Sequence, residues 1–185
     1  MKRIALFESS GKNEAISWAE YTAVKLKELG AECFATPELI SSFSIETDDI
    51  VQAKTVKEFE KYADLAISFG GDGTMLSAVR QLINTELPLM GVNVGKLGFL
   101  AEFSTENLDQ TLIGLMKGEY RVVDRSVLET VINNEKIFAL NDFVIEKKDS
   151  SHMIVVQAYA NDHYIGDYRA DGVIVSTPTG STAYS

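Results

Sequence analysis

A chain of 185 residues, 45% hydrophobic and 24% charged, has ordinary globular composition and suits one domain, or a domain and part of another. Its net charge of −10 excludes nucleic acid and anionic membranes as partners held by bulk charge, but leaves room for a small anionic ligand held by local donors. A single cysteine, Cys33, excludes an intrachain disulfide and a cysteine-based zinc site, and no apolar run approaches the ~20 residues of a membrane span or the ~7–15 of a secretory h-region, so a cytoplasmic protein is expected.

Strand and helix signals alternate through the first half. Arg3–Phe7 reads as a buried strand and Ser9-Ser10-Gly11 as a turn. Ile16, Ala19, Ala23 and Leu26 recur at helical spacing up to Gly30, a C′ residue. Glu32–Ala35 reads as a second strand, Thr36–Asp49 as a polar irregular loop, and Val51–Tyr62 as weakly helical. The third strand, Leu65–Phe69, runs into Gly70-Gly71-Asp72-Gly73-Thr74, and Met75, Leu76, Val79, Leu82 and Ile83 then carry a helix. Pro88–Val94 reads as a fourth strand. Ser104 is a candidate cap for a helix bearing Leu108, Leu112, Leu115 and Met116, which Gly118 ends. Such alternation implies a parallel sheet covered by helices.

The character changes near Tyr120. Leu128–Ile132 and Ile137–Leu140 face each other across Asn133-Asn134-Glu135-Lys136. Ile154–Ala160 and Tyr164–Arg169 do so across Asn161-Asp162-His163. No helical period follows Gly118. The expectation is an α/β domain over residues 1–119 and an antiparallel β domain over 120–185.

Four stretches can carry chemistry. In Gly70–Thr74 the glycines admit a ligand close to the main chain, and the following helix aims N–H groups and its positive dipole end outward. A carboxylate at Asp72 would repel a phosphate there, so it makes more sense as a base or a hydroxyl ligand. Gly91–Leu100 lies at the carboxyl end of the fourth strand, where open α/β sheets bind ligands. A glycine loop needed only for tight turning explains that segment equally well. Asn141-Asp142 interrupts an apolar context, which ordinary turn chemistry also explains. In the fourth stretch an apolar strand runs into Ser176–Ala183, eight small, hydroxylated or turn residues, with Arg169 and Asp171 before them and Tyr184 after. Its hydroxyls and amides could wrap a polar ligand, with Tyr184 stacking on a base. His163 reads as a solvated turn residue, Trp18 and Tyr21 as helix packing, and Lys147-Lys148-Asp149 as a solvated loop. His152 is too isolated to suggest a metal site.

Together Gly70-Gly71-Asp72-Gly73, Gly95-Lys96-Leu97-Gly98-Phe99-Leu100, Asn141-Asp142, and Asp171-Gly172 followed by Ser176–Ser185 resemble the NAD kinase family, in the right order and from about Leu65 to the end. The glycine–aspartate turn is shared with diacylglycerol kinases, sphingosine kinases and phosphofructokinases; the Ser176–Ser185 run is far more specific. The resemblance implies phosphorylation of the adenosine ribose 2′-hydroxyl of NAD, with ATP or polyphosphate as donor and a divalent metal, Mg2+, carried by the nucleotide. Asp72 would then be the proton acceptor, and Gly73 would let the dinucleotide approach. Asn141 and Asp142 would hold sugar hydroxyls, Phe99 would lie against adenine, and His152 would reach the ligand. Arg169 and Asp171 would frame the dinucleotide, often across a subunit boundary, and Thr182, Ala183, Tyr184 and Ser185 would hold adenine and ribose. Many relatives have Glu in place of Asp142, and the shorter acid keeps the charge but changes the reach.

The resemblance further implies a homo-oligomer, tetramer or dimer, and a chain continuing beyond Ser185, which makes the β domain here incomplete and this length inactive or nearly so. Two other readings compete. A lipid kinase of the diacylglycerol kinase type shares the glycine–aspartate turn, but the Thr177–Ser185 run and the acidic charge argue against it. A dinucleotide-binding fragment without activity is the second.

Overall fold

The computed structural model describes residues 2–9, 11–48, 50–95, 98–148 and 151–182. They form two compact units, Met1–Val123 and Asp124–Ser185.

The first unit is a six-stranded parallel sheet with helices on both faces. Its elements are β1 (Arg3–Phe7), α1 (Asn13–Glu28), β2 (Glu32–Ala35), α2 (Pro37–Ser41), β3 (Val51–Ala53), α3 (Phe59–Tyr62), β4 (Leu65–Gly70), α4 (Asp72–Leu82), β5 (Leu89–Asn93), β6 (Phe103–Ser104) and α5 (Leu108–Lys117). The strand order is β3-β2-β1-β4-β5-β6, and every pairing is parallel. Successive side chains of a strand point to opposite faces. Ile4, Leu6, Ile67 and Phe69 accordingly pack with α1 and α5 through Ala19, Ala23, Leu26, Leu108, Leu112 and Leu115. Ala5, Phe7 and Ala66 pack on the other face with Phe59, Ala78 and Leu82. Strands buried on both faces read as continuous apolar runs, which is why β1 and β4 stand out in the sequence.

Helix ends follow local chemistry. Gly30 takes φ +81° after α1, and the Ala31 and Gly30 amides donate to the Leu26 and Lys27 carbonyls, closing the last turn. Gly118 repeats this after α5, again at φ +81°. Three readings from sequence change. The stretch 36–49 holds α2, whose first turn is capped by the Thr36 hydroxyl accepting from the Leu39 amide, with Pro37 at the first helical position. Val51–Ala53 is a strand beside β2 rather than helix, although Val56–Glu58 and α3 are helical. Ser104 makes no side-chain cap; it pairs with Asn93 as the end of β6.

The second unit contains β7 (Leu128–Ile132), β8 (Glu135–Ala139), β9 (Asp142–Glu146), β10 (Ile154–Ala160), β11 (His163–Ala170) and β12 (Gly172–Ser176), ending in a 3-10 turn at Gly180–Thr182. All pairings are antiparallel: β7 with β8, β9 with β12, β10 with β11. The two hairpin turns are tighter than the sequence suggested. Asn133-Asn134 (φ 52° and 66°) and Asn161-Asp162 (φ 48° and 65°) are two-residue left-handed turns, matching the strand twist. His163 is consequently the first residue of β11, opposite Ala160, not a turn residue.

Candidate functional site

β1 pairs with β2 on one side and with β4 on the other, so the strand order reverses between β1 and β4. The carboxyl ends of strands at such a reversal are where open α/β sheets leave a crevice. Gly70 ends β4 there at φ +148°, a conformation closed to other residues, and a Cβ on it would lie 2.3 Å from the Thr74 Oγ1. Gly71 caps α4, and Asp72 is its first residue, where a negative charge meets the helix dipole favourably. Gly73 is exposed with nothing within 4 Å of where its Cβ would stand, so the main chain is open to an approaching ligand.

The Asp72 carboxylate faces the loop that follows β5. Its Oδ2 accepts from the Phe99 amide at 3.0 Å, and its Oδ1 accepts from the Leu100 amide at 3.0 Å and the Ala101 amide at 3.4 Å. Partial burial pushes the carboxyl pKa up, but these three donors outweigh it and hold the group below the usual carboxylate range. The loop approaches this closely because residue 98 is glycine: a Cβ there would lie 2.2 Å from the Asp72 Oδ1. Leu100 and Ala101 are buried, and a Cβ on Gly91 beneath them would meet the Ala101 Cα at 2.8 Å. Phe99 swings out and is 81% exposed, leaving its ring face free. Asn93, at the end of β5 opposite Gly70, is buried with an unpartnered Oδ1.

Within the second unit, a polar knot joins the start of β9 to the end of β12. The Thr177 hydroxyl donates to the Leu140 carbonyl at 2.6 Å and accepts from the Gly180 amide at 3.1 Å. The Asn141 carbonyl accepts from the Thr177 amide at 2.8 Å and the Ser176 hydroxyl at 3.2 Å. A Cβ on Gly180 would lie 2.3 Å from that carbonyl oxygen, so glycine is required. The knot seats the Gly180–Thr182 turn over Asn141 and leaves Thr182 exposed. The Asn141 Oδ1 is buried without a partner, while Asp142 opens β9 opposite Ser176.

The other expected site residues spread along this unit. Asp171 pairs with Lys147, Oδ1 to Nζ 2.6 Å, and its carbonyl accepts the Lys147 amide. Lys147 is therefore a structural partner rather than part of a solvated loop. Arg169 is exposed on β11 opposite Val155. His152 is exposed, with Nδ1 2.9 Å from the Ser151 hydroxyl. Ala183, Tyr184 and Ser185 lie outside the described residues, as do Lys96 and Leu97. The loop amides at Phe99–Ala101 and the Thr177 knot were not marked by sequence reasoning; Gly98 and Gly180 were the available signals. A separate cleft between α1 and the start of α5, lined by Trp18, Tyr21, Glu106 and Asp109, contains none of the expected site residues.

Among the described residues, no group of three or more His, Cys, Asp or Glu side chains converges, and the Asp72 oxygens are turned to amides. The donor set does not fit a resident metal cage. No helix among the described residues is long and apolar enough to cross a membrane.

Comparison with known proteins follows the same division. A family model described as ATP-NAD kinase N-terminal domain matches residues 8–120, and one described as ATP-NAD kinase C-terminal domain matches residues 140–185. A Porphyromonas gingivalis NAD kinase is 34% identical over 188 residues, covering 100% of this chain and 65% of that protein. One from Bacteroides fragilis is 44% identical over 127 residues, covering 66% of this chain and 44% of that protein. The chain thus spans about half to two thirds of the length of these relatives. An NAD kinase from Archaeoglobus fulgidus, solved in complex with ATP, superposes with a TM-score of 0.70 at 26% identity, covering 98% of this chain and 63% of that one. Yeast NADH kinase, solved with NADH, gives 0.85 at 22% identity, covering 100% and 60%, which speaks to the fold.

Proposed function

Because the chain belongs to the ATP-NAD kinase family, we propose that it carries the catalytic turn and part of the dinucleotide site of an enzyme that phosphorylates the adenosine ribose 2′-hydroxyl of NAD. The observation carrying this reading is the Asp72 carboxylate, ionised and oriented at the head of α4, beside the open backbone of Gly73.

The reaction breaks the hydroxyl O–H bond and the bond from the terminal phosphorus of ATP to its bridging oxygen, and it forms a new P–O bond to the ribose oxygen; the bridging oxygen and its electron pair leave with the diphosphate. Asp72 takes the proton. A carboxylate held below its usual pKa is a weak base in the ground state, so the transfer belongs to the transition state, when the hydroxyl becomes acidic. Positioning supplies most of the rest. The exposed ring of Phe99 offers a face for adenine. The unpartnered Asn141 Oδ1 can accept from a sugar hydroxyl, and Asp142 stands next to it. An unsatisfied buried oxygen costs about 1–3 kcal/mol, which a bound hydroxyl would recover. Thr182, Ala183, Tyr184 and Ser185 would follow the adenosine, with His152, Arg169 and Asp171 at the rest of the dinucleotide. Magnesium enters as part of the nucleotide substrate. A cytoplasmic homo-oligomer is the setting we propose, with the boundary between an α/β domain and a β domain falling near residue 120 of the chain.

The test is formation of NADP from NAD, ATP and magnesium by an enzyme extended to the length of its relatives. Asp72→Asn keeps side-chain size, so binding of NAD should persist while turnover falls roughly 10²–10⁴-fold. Near-normal kcat in the variant would remove Asp72 from the base role.

A further inference from the structure

The three amides on Asp72 divide its two oxygens unequally. Oδ1 accepts from Leu100 and Ala101, which fills both of its lone-pair directions. Among the described residues Oδ2 accepts only from Phe99, which leaves one direction open. The loop cannot slide to share itself differently. Ala101 rests on the bare backbone of Gly91, and Gly98 has no room for a Cβ against the carboxylate. Leu100 is buried and Phe99 is not, so the loop enters the core on one side of Asp72 and leaves toward solvent on the other.

We propose that the Gly98–Ala101 backbone is a positioning clamp that fixes Asp72 through Oδ1 and presents Oδ2 as the proton-accepting atom. The identity of the accepted proton rests on the kinase reading above; the clamp itself does not. Its consequence is that Gly98 acts on the reaction without touching a substrate. Any side chain at residue 98 displaces the carboxylate and frees the loop together.

Amide hydrogen exchange and amide proton shifts, measured by NMR on the 185-residue chain without ligand, test this. In Asp72→Asn the remaining oxygen should turn to the side with two donors. The Leu100 amide then stays protected, while the Phe99 amide, facing the new NH2, exchanges about tenfold faster or more, and its proton resonance moves upfield. In Gly98→Ala both amides should lose protection while the α4 amides keep theirs. Unchanged exchange at Phe99 and Leu100 in Asp72→Asn would overturn the clamp, whether or not Gly98→Ala folds. Equal loss at both would overturn the division between the oxygens. Absence of NADP formation by an enzyme extended to the length of its relatives, with the clamp intact, would sink the kinase reading and leave the clamp standing.

Discussion

Replacing Thr177 with valine should loosen the end of β12 far more than its size suggests. Valine matches threonine in shape, so no cavity opens and no apolar area is lost. What disappears is a hydroxyl, 2% exposed as a residue, that serves two backbone groups. The Leu140 carbonyl loses its 2.6 Å donor, and the Gly180 amide loses its 3.1 Å acceptor. Both bonds are buried, so water does not replace them. Each orphaned group costs about 1–3 kcal/mol, and two together cost about 3 kcal/mol at the lower half of that range. At 1.4 kcal/mol per factor of ten, amides protected by this knot should exchange roughly 100-fold faster. The amides to follow are Gly180, Ser181 and Thr177, whose acceptors are the Thr177 hydroxyl, the Thr177 carbonyl and the Asn141 carbonyl. Thr177→Ser keeps the hydroxyl and should stay within a few-fold of the wild type. A Thr177→Val chain whose Gly180 amide exchanges at the wild-type rate would refute the reasoning, since the hydroxyl would then hold nothing.

Other consequences can be checked in the same chain. Cys33 is buried, and burial pushes its thiol up to about 12, so it should resist alkylation at about pH 8 until denaturant is added; rapid labelling of the native chain would contradict this. Gly70→Ala forces a Cβ onto Thr74 at a left-handed φ, which costs about 1–3 kcal/mol and should lower the melting temperature by roughly 3–10 °C; an unchanged melting temperature would mean the turn has another conformation. Asp64, through its hydrogen bonds to Arg3, and Asp72, where three amides overcome burial, both have depressed folded pKa values. Their contribution is therefore present above the ordinary carboxylate value of about 3.9 and lost as pH falls through the folded values. Asp64→Asn should flatten the fall in denaturant midpoint below about pH 4, and parallel curves for wild type and variant would exclude that role.

Elements whose cause is local were legible in the sequence. β1, β2 and β4 are apolar runs ended by turn residues, and α1 and α5 stop at glycines in left-handed backbone. Thr36-Pro37 carries a cap and a first-turn proline, a local signal for α2 that the polar stretch around it masks. β3 was not readable: three residues have no usable period, and what makes Val51–Ala53 extended is the edge of β2. The hairpins were visible, yet the turns proved shorter because Asn and Asp tolerate positive φ that most residues avoid. At the site, the strand–helix turn around Asp72 was evident, but its amide partners lie 27–29 residues along the chain. The Lys147–Asp171 pair is hidden in the same way, since sequence distance gives no sign that β9 and β12 lie side by side.

The Arg3–Asp64 junction has a bearing on how the chain leaves the ribosome. β1 lies at the middle of the sheet, with β2 from residue 32 along one flank and β4 from residue 65 along the other. During synthesis the first flank closes while the second waits for another 33 residues, roughly 2–7 s at 5–20 residues per second. For that interval the unpaired N–H and C=O groups along one edge of the apolar strand Ile4–Phe7 are open to any extended segment nearby. Asp64 emerges immediately ahead of β4 and takes both the Arg3 amide and the Arg3 guanidinium. It therefore marks one end of β1 as the place where the late strand must dock, and a nascent chain with Asp64 replaced would meet that edge without its registration point.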